Sequence, residues 1–169
     1  MRVLVAGIGN VFLADDGFGV EVVRRLDPAS LPAQVDVADF GIRGVHLAYE
    51  LLERRYDTLI LIDAVPLGEE PGTLAVLDAT GHAVTRGPGP LDAHSMSPDV
   101  VLTALRGLGG AIDRVLVVGC EPGDLGERMG LSAPVDAAVD EAVRLTIDLT
   151  RREAATPAVT VPSTSGRPT

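Results

Sequence analysis

Three polar side chains in this sequence could act together in catalysis or metal binding: Asp16, Asp63 and His94. Asp16 lies in a glycine-rich loop after the first apolar segment, Asp63 ends the most apolar β-branched run, and His94 lies in a loop rich in Gly and Pro. Two carboxylates and one imidazole form an O,O,N ligand set with room for water or substrate groups, which suits a borderline divalent ion such as nickel or zinc. We therefore predict a catalytic, metal-recognising site at these three residues.

Each of these residues also has a simpler interpretation. Asp15 or Asp16 could cap the helix that follows Gly17, and a backbone N–H from a neighbouring loop could satisfy the carboxylate of Asp63. Taken alone, His94 is more typical of a solvated loop histidine. The functional interpretation therefore depends on the three residues meeting at one place in the fold.

The elements that would bring these residues together are strands that alternate with helices. Apolar runs predict five strands, at residues 2–6, 35–40, 57–63, 74–77 and 114–119. Apolar residues at helical spacing predict four helices, whose faces are Phe18, Val22, Val23 and Leu26; Val45, Ala48, Tyr49 and Leu52; Val100, Val101, Ala104 and Leu105; and Val135, Val139, Val143 and Ile147. We predict a three-layer α/β/α fold around a mostly parallel five-stranded sheet.

The fourth strand should run in the opposite direction to the others. Residues 64–73, which precede it, include two prolines and two glycines and are too few to hold a crossover helix. We therefore predict one antiparallel strand at the edge of the sheet. Ligands of such sheets gather outside the carboxyl ends of the parallel strands, and Asp16, Asp63 and His94 all fall on that edge.

The pattern predicts a single α/β domain over residues 1–152 and a disordered tail over residues 153–169. A length of 169 residues with 46% hydrophobic content suits one ordinary domain. After Arg152 the helical pattern ends, and the remaining residues are rich in Pro, Ser and Thr.

The composition excludes several classes of partner. A net charge of -10 would repel a phosphate backbone, so we expect no nucleic-acid partner. No apolar run approaches the roughly 20 residues of a membrane span, so we expect no membrane association. The apolar start of the chain is broken by Gly7 and Gly9, and Cys120 is the single cysteine, so we expect a cytoplasmic protein without an internal disulfide.

A dinucleotide-binding domain is one rival interpretation. A glycine-rich loop, residues 7–10, follows the first strand, and Asp39 could bind a ribose hydroxyl. Phe12, however, occupies the third glycine position, and the carboxylates of Asp15 and Asp16 would repel a pyrophosphate. This interpretation is therefore disfavoured.

A thiol protease is a second rival, because Cys120 and His94 could in principle form a dyad. A buried, inert thiol is the favoured interpretation of Cys120. His46 on a helix and His82 in a loop lack ligand spacing, and we expect both to be surface residues.

Five short blocks, taken in order, resemble those of the hydrogenase maturation endopeptidase family. The blocks are Gly7-Ile8-Gly9-Asn10, Asp15-Asp16-Gly17-Phe18-Gly19, Ile62-Asp63-Ala64, Asp92-Ala93-His94 and Gly119-Cys120-Glu121-Pro122. The resemblance covers roughly residues 1–150 of the chain. In addition, Gly41, Ile42, Arg43 and Gly44 fall where the family carries a glycine-flanked substrate loop.

The resemblance implies a protease that removes a short C-terminal extension from the precursor of a nickel-iron hydrogenase large subunit once nickel has been inserted. It implies that Asp16, Asp63 and His94 engage the metal, and that the precursor supplies the nickel. Position 16 is often Glu in the family, and the loop at residues 41–44 lacks Thr. A non-catalytic assembly chaperone that checks nickel insertion would use the same site and is the alternative.

Overall fold

The computed structural model describes residues 1–80 and 98–157. The strands are β1 (Val3–Ile8), β2 (Val35–Gly41), β3 (Thr58–Ala64), β4 (Leu74–Asp78) and β5 (Arg114–Cys120). The helices are α1 (Phe18–Arg25), α2 (Gly44–Arg54), α3 (Pro98–Gly107) and α4 (Ala133–Ala155), with a short 3-10 helix, Ala14–Gly17, before α1.

The five strands form one sheet in the order β2-β1-β3-β5-β4. The first four of these pair in parallel, whereas β4 pairs antiparallel with β5 at the edge. The predicted antiparallel edge strand is therefore confirmed. The most apolar run, β3, lies in the centre, as expected for a strand covered on both faces.

Helices cover both faces of the sheet, because successive side chains of each buried strand point to opposite sides. Ile60 and Ile62 of β3 belong to one apolar cluster, together with residues of α1 and α4. Leu59 and Leu61 belong to a second cluster, together with residues of α2 and α3. The three-layer α/β/α architecture is confirmed.

The buried face of α2 differs from the predicted one. Leu47 and Leu51 are fully or almost fully buried, whereas Val45 and Tyr49, which were expected in the core, are 56% and 46% exposed. Only Ala48 belongs to both the predicted and the observed face. The helix carries apolar residues on two sides, so spacing alone allows two choices of face, and packing against the sheet selects one.

Helix α4 extends to Ala155 and so passes the predicted domain boundary after Arg152. Glu153 is buried, accepts a hydrogen bond from the hydroxyl of Thr58 and forms an ion pair with Arg114 at 2.9 Å. These contacts hold the last helical turn against the amino ends of β3 and β5. Residues 158–169, most of the predicted tail, lie outside the described residues. Within the described ranges, no helix has the length and hydropathy needed to cross a membrane.

Candidate functional site

Asp16 lies in the 3-10 helix between β1 and α1 and is half-buried. Its Oδ2 accepts a hydrogen bond of 2.7 Å from the backbone N–H of Asn10. Its Oδ1 accepts no hydrogen bond from residues 1–80 or 98–157. The N-cap of α1 is Gly17, without a side-chain cap, so the capping interpretation of Asp15 and Asp16 is wrong.

Asp63 lies near the carboxyl end of β3, where its backbone pairs with Gly119 of β5. The residue is 5% exposed. By the alternation of side chains along a strand, it shares the sheet face of Leu59 and Leu61, which pack towards α2 and α3. A buried carboxylate thus stands at the end of an otherwise apolar central strand.

Close backbone packing brings the loop of Asp16 to the end of β3. A Cβ built on Gly19 would lie 2.0 Å from the carbonyl oxygen of Ile62 and 2.5 Å from that of Ile8. The first turn of α1 therefore rests directly on the carboxyl ends of β1 and β3, and the 3-10 helix contacts β3. Asp16 and Asp63 lie at the same edge of the sheet.

Asp16 also explains one glycine of the loop after β1. Gly9 has a φ of +126°, and a Cβ there would come within 1.8 Å of the carbonyl oxygen of Asp16. The glycine is thus required for the loop to fold over its own backbone. This structural role accounts for the glycine pattern without a nucleotide.

His94, the third predicted ligand, lies in residues 81–97, outside the described residues, and so does His82. Within the described part of the chain, no three His, Cys, Asp or Glu side chains form a group that could hold a metal ion. A metal site built on Asp16 and Asp63 therefore needs at least one ligand from elsewhere. His46, on α2, is exposed as expected.

Asp15 has a role that the sequence did not reveal. Its side chain is fully buried, and its two oxygens accept four hydrogen bonds of 2.6 to 2.8 Å from the N–H groups of Gly123, Asp124 and Ser132 and from the Ser132 hydroxyl. Burial by itself raises the pKa of Asp15, but these hydrogen bonds outweigh it, so the pKa lies below its ordinary value. The loop of Asp16 is thereby attached to the segment after β5.

Glu121 fixes a second loop at the same edge. Its Oε2 accepts hydrogen bonds from the backbone N–H groups of Leu67 and Glu69, in the connection between β3 and β4. The hydrogen bond from Leu67 is the main reason why the pKa of Glu121 lies below its ordinary value. The carboxylate of Glu121 therefore holds in place the segment that directly follows Asp63.

The predicted substrate loop at residues 41–44 joins β2 to α2 at this edge. The guanidinium of Arg43 donates to the carbonyl oxygens of Asp39, at 2.8 Å, and Phe40, at 3.3 Å. The N–H of Gly9 donates to the carbonyl of Gly41, which connects the loop to the one after β1. Ile42 in this loop is 61% exposed.

Cys120 is fully buried in the cluster formed with α1 and α4, on the opposite sheet face from Asp63. Burial raises the pKa of its thiol to about 12, and the negative charges of Asp15 and Glu121 add to the shift. The expectation of a buried thiol is confirmed. A thiolate nucleophile would be scarce at neutral pH.

Comparison with known proteins places these features in a family. The family model described as hydrogenase maturation protease matches residues 20–149. The hydrogenase expression/formation protein HupD of Rhizobium leguminosarum bv. viciae is 37% identical over 85% of this chain and 73% of its own length. The hydrogenase 2 maturation protease of Escherichia coli is 33% identical over 85% of this chain and 87% of its own length.

A solved structure agrees with these sequence comparisons. The hydrogenase maturating endopeptidase HybD from E. coli aligns with a TM-score of 0.74 and 30% identity, over 90% of this chain and 94% of that one. The likeness thus covers nearly the whole of both chains. The chain belongs to the hydrogenase maturation protease family of endopeptidases.

Proposed function

We propose that this protein is a nickel-dependent endopeptidase that removes the C-terminal extension of a nickel-iron hydrogenase large-subunit precursor after metal insertion. The observation that carries the proposal is that Asp16, in a 3-10 helix that contacts β3, and Asp63, near the carboxyl end of β3, lie at the same edge of the sheet in a member of this family. This edge is where open α/β sheets bind their ligands.

The donor set supports a role for nickel. Asp16 uses one oxygen to accept the Asn10 N–H and keeps the other without a donor among the described residues. Asp16, Asp63 and His94 would hold the ion, and the precursor would deliver it. A nickel ion bound there would polarise the scissile carbonyl or lower the pKa of a bound water.

The residues of the chain itself have separable roles in this proposal. The N–H of Asn10 orients the carboxylate of Asp16, and the anchor formed by Glu121 shapes the loop that follows Asp63. The exposed Ile42, in the loop at residues 41–44, is placed to contact the precursor beside the site.

The test is mass spectrometry of nickel-loaded and nickel-free precursor, each incubated with the purified protein. We expect loss of a C-terminal peptide from the nickel-loaded precursor alone. Asp63→Asn and His94→Ala should abolish this loss while circular dichroism shows a normal fold. His46→Ala is the matched control for His94→Ala, because it removes an exposed imidazole from α2.

Two outcomes would contradict the proposal. Tight binding of the nickel-loaded precursor with no peptide released would indicate a chaperone that checks nickel insertion. Equal cleavage of both precursors would show that the endopeptidase does not depend on inserted nickel.

A further inference from the structure

The loop that carries Asp16 is attached to a segment more than one hundred positions away in the sequence. The carboxylate of Asp15 binds the N–H groups of Gly123 and Ser132, which lie 108 and 117 positions from it. With the Asp124 N–H and the Ser132 hydroxyl it accepts four hydrogen bonds in all. A fully buried carboxylate surrounded by donors on both oxygens has a fixed orientation.

Backbone contacts attach the same loop to the same segment. The N–H of Ala14 donates to the backbone carbonyl oxygen of Arg128 at 2.8 Å, and the N–H of Asp15 donates to that of Asp124 at 3.0 Å. Ala14 has a φ of +47°, a left-handed conformation that is uncommon for a residue with a Cβ. Such a conformation persists only where surrounding contacts enforce it, so the shape of the loop depends on this attachment.

Asp15 and Asp16 are consecutive residues of one 3-10 turn, but their carboxylates serve different partners. The carboxylate of Asp15 accepts hydrogen bonds on both oxygens from the segment after β5. Among the described residues, the carboxylate of Asp16 accepts a hydrogen bond only from the N–H of Asn10. We infer that Asp15 is a positioning residue, which holds the carboxylate of Asp16 in the orientation that the cleavage reaction requires. This inference rests on the proposed function.

The Asp15→Asn variant tests the inference with little change in the shape of the side chain. A neutral amide keeps one acceptor oxygen but turns an NH2 group towards donors of the segment at residues 123–132, so hydrogen bonds are lost and donors face each other. Glu153→Gln is the matched control, since Glu153 is another buried carboxylate but lies at the amino ends of β3 and β5. Both variants should lower the melting temperature.

The two variants should differ in their kinetics. Displacement of a catalytic group by about 1 Å can cost about 100-fold in rate, so Asp15→Asn should reduce kcat on that scale with little change in KM. Glu153→Gln should keep the wild-type kcat at temperatures where both variants are folded. A kcat of Asp15→Asn equal to that of Glu153→Gln would overturn the inference.

Ser132 gives a second test if Asp15→Asn fails to fold. Ser132→Ala removes one donor to Asp15, and Ser132→Thr keeps the hydroxyl. We expect kcat to fall in Ser132→Ala and to recover in Ser132→Thr. Equal kcat values in these two variants and the wild type would count against the inference.

A third measurement does not need cleavage at all. Amide hydrogen exchange at Asn10 reports whether the carboxylate of Asp16 stays on that N–H. In Asp15→Asn the exchange should become about tenfold faster, the loss expected for one hydrogen bond, and in Glu153→Gln it should not change. If the wild type cleaves no precursor, the proposed function is wrong. Unchanged exchange at Asn10 in Asp15→Asn would show, independently of cleavage, that Asp15 does not position Asp16.

Discussion

At the scale of single residues, Cys120 and Asp63 lie on neighbouring strands but in different chemical environments. Ala64 is the strand partner of Cys120, so the thiol is one residue away from Asp63 in the sheet ladder. The thiol nevertheless packs in the apolar cluster under α1 and α4, on the other face. The cysteine is therefore part of the core, and the sheet itself separates its thiol from the side chain of Asp63.

We expect Cys120→Ser to retain most of the processing activity, because the thiol does not reach the site. The native thiol should also resist iodoacetamide at about pH 8, since little thiolate is present in the folded protein. Mass spectrometry of the native protein and of protein unfolded in guanidinium would measure this protection. A folded but inactive Cys120→Ser variant would favour a thiol protease instead.

The same thiol predicts an alkaline sensitivity. Its pKa is raised from an ordinary value of 9.0 to about 12 in the folded protein, so the unfolded chain loses the proton first as pH rises. Stability from this residue is present below pH 9 and declines as the pH rises towards 12. Melting temperatures across this range should fall less steeply for Cys120→Ala than for the wild type, and parallel curves would show that the thiol does not contribute.

At the scale of elements, the faces of α2 can be tested with two adjacent leucines. Leu51 is 4% exposed and Leu52 is 37% exposed. Leu51→Ala should reduce the free energy of unfolding by about 2–5 kcal/mol, because it leaves a cavity in the core. Leu52→Ala should cost below about 1 kcal/mol, because this side chain is already partly in water. Urea denaturation measures both, and the reverse order would mean that the helix is rotated.

The end of α4 can be tested by truncation. A chain that ends after Arg152 lacks Glu153 and leaves Arg114 without this partner, so we expect it to lose about 2 kcal/mol of stability. A chain that ends after Pro157 keeps the helix and should melt like the full-length protein. If the shorter chain also melts normally, Glu153 does not stabilise the fold.

Helices α2 and α4 show which structural features the sequence pattern did not determine. The strands were predicted well because buried parallel strands are continuous apolar runs, and the direction of β4 followed from the length of the preceding loop. The face of α2 was not determined, since Val45 and Tyr49 alternate with Leu47 and Leu51 at helical spacing. The last turn of α4 makes long-range contacts, from Glu153 to Arg114 and Thr58, that no local pattern encodes.

The same limit applies to the candidate site. Asp16 and Asp63 could be assigned to one edge because Asp16 follows a recognisable strand and Asp63 lies near the carboxyl end of another. The anchoring role of Asp15 could not be found, because its partners lie beyond four intervening strands in the sequence. Asp15 and Asp16 were both possible caps of the next helix, and nothing in their spacing indicated that Asp15 binds the segment at residues 123–132.

At the scale of the whole molecule, the proposed function predicts the source of the metal from the number of ligands. Three protein ligands, two of them carboxylates, would leave a site that is open and binds nickel weakly, whereas precursor thiolates would complete the coordination. We expect elemental analysis of the purified protein to find little metal. Calorimetry should show tight binding of the precursor only when it carries nickel.

A zinc protease would behave differently in the same measurements. It would copurify with stoichiometric zinc and lose activity when the enzyme alone is treated with a chelator. It would also bind nickel-free and nickel-loaded precursors alike. These results would contradict a metal supplied by the substrate.

The hydrogen bonds between Asp15 and Ser132 also have a consequence for the chain during its synthesis. Asp15 and Ser132 are 117 positions apart, so the loop after β1 leaves the ribosome long before the segment that binds it has been made. Until the segment at residues 123–132 has emerged, the left-handed turn at Ala14 lacks the hydrogen bond from its N–H to the carbonyl oxygen of Arg128. A nascent chain would therefore carry both aspartates without a formed site. The protein would acquire its competence for chemistry only after this late segment has emerged and bound the loop.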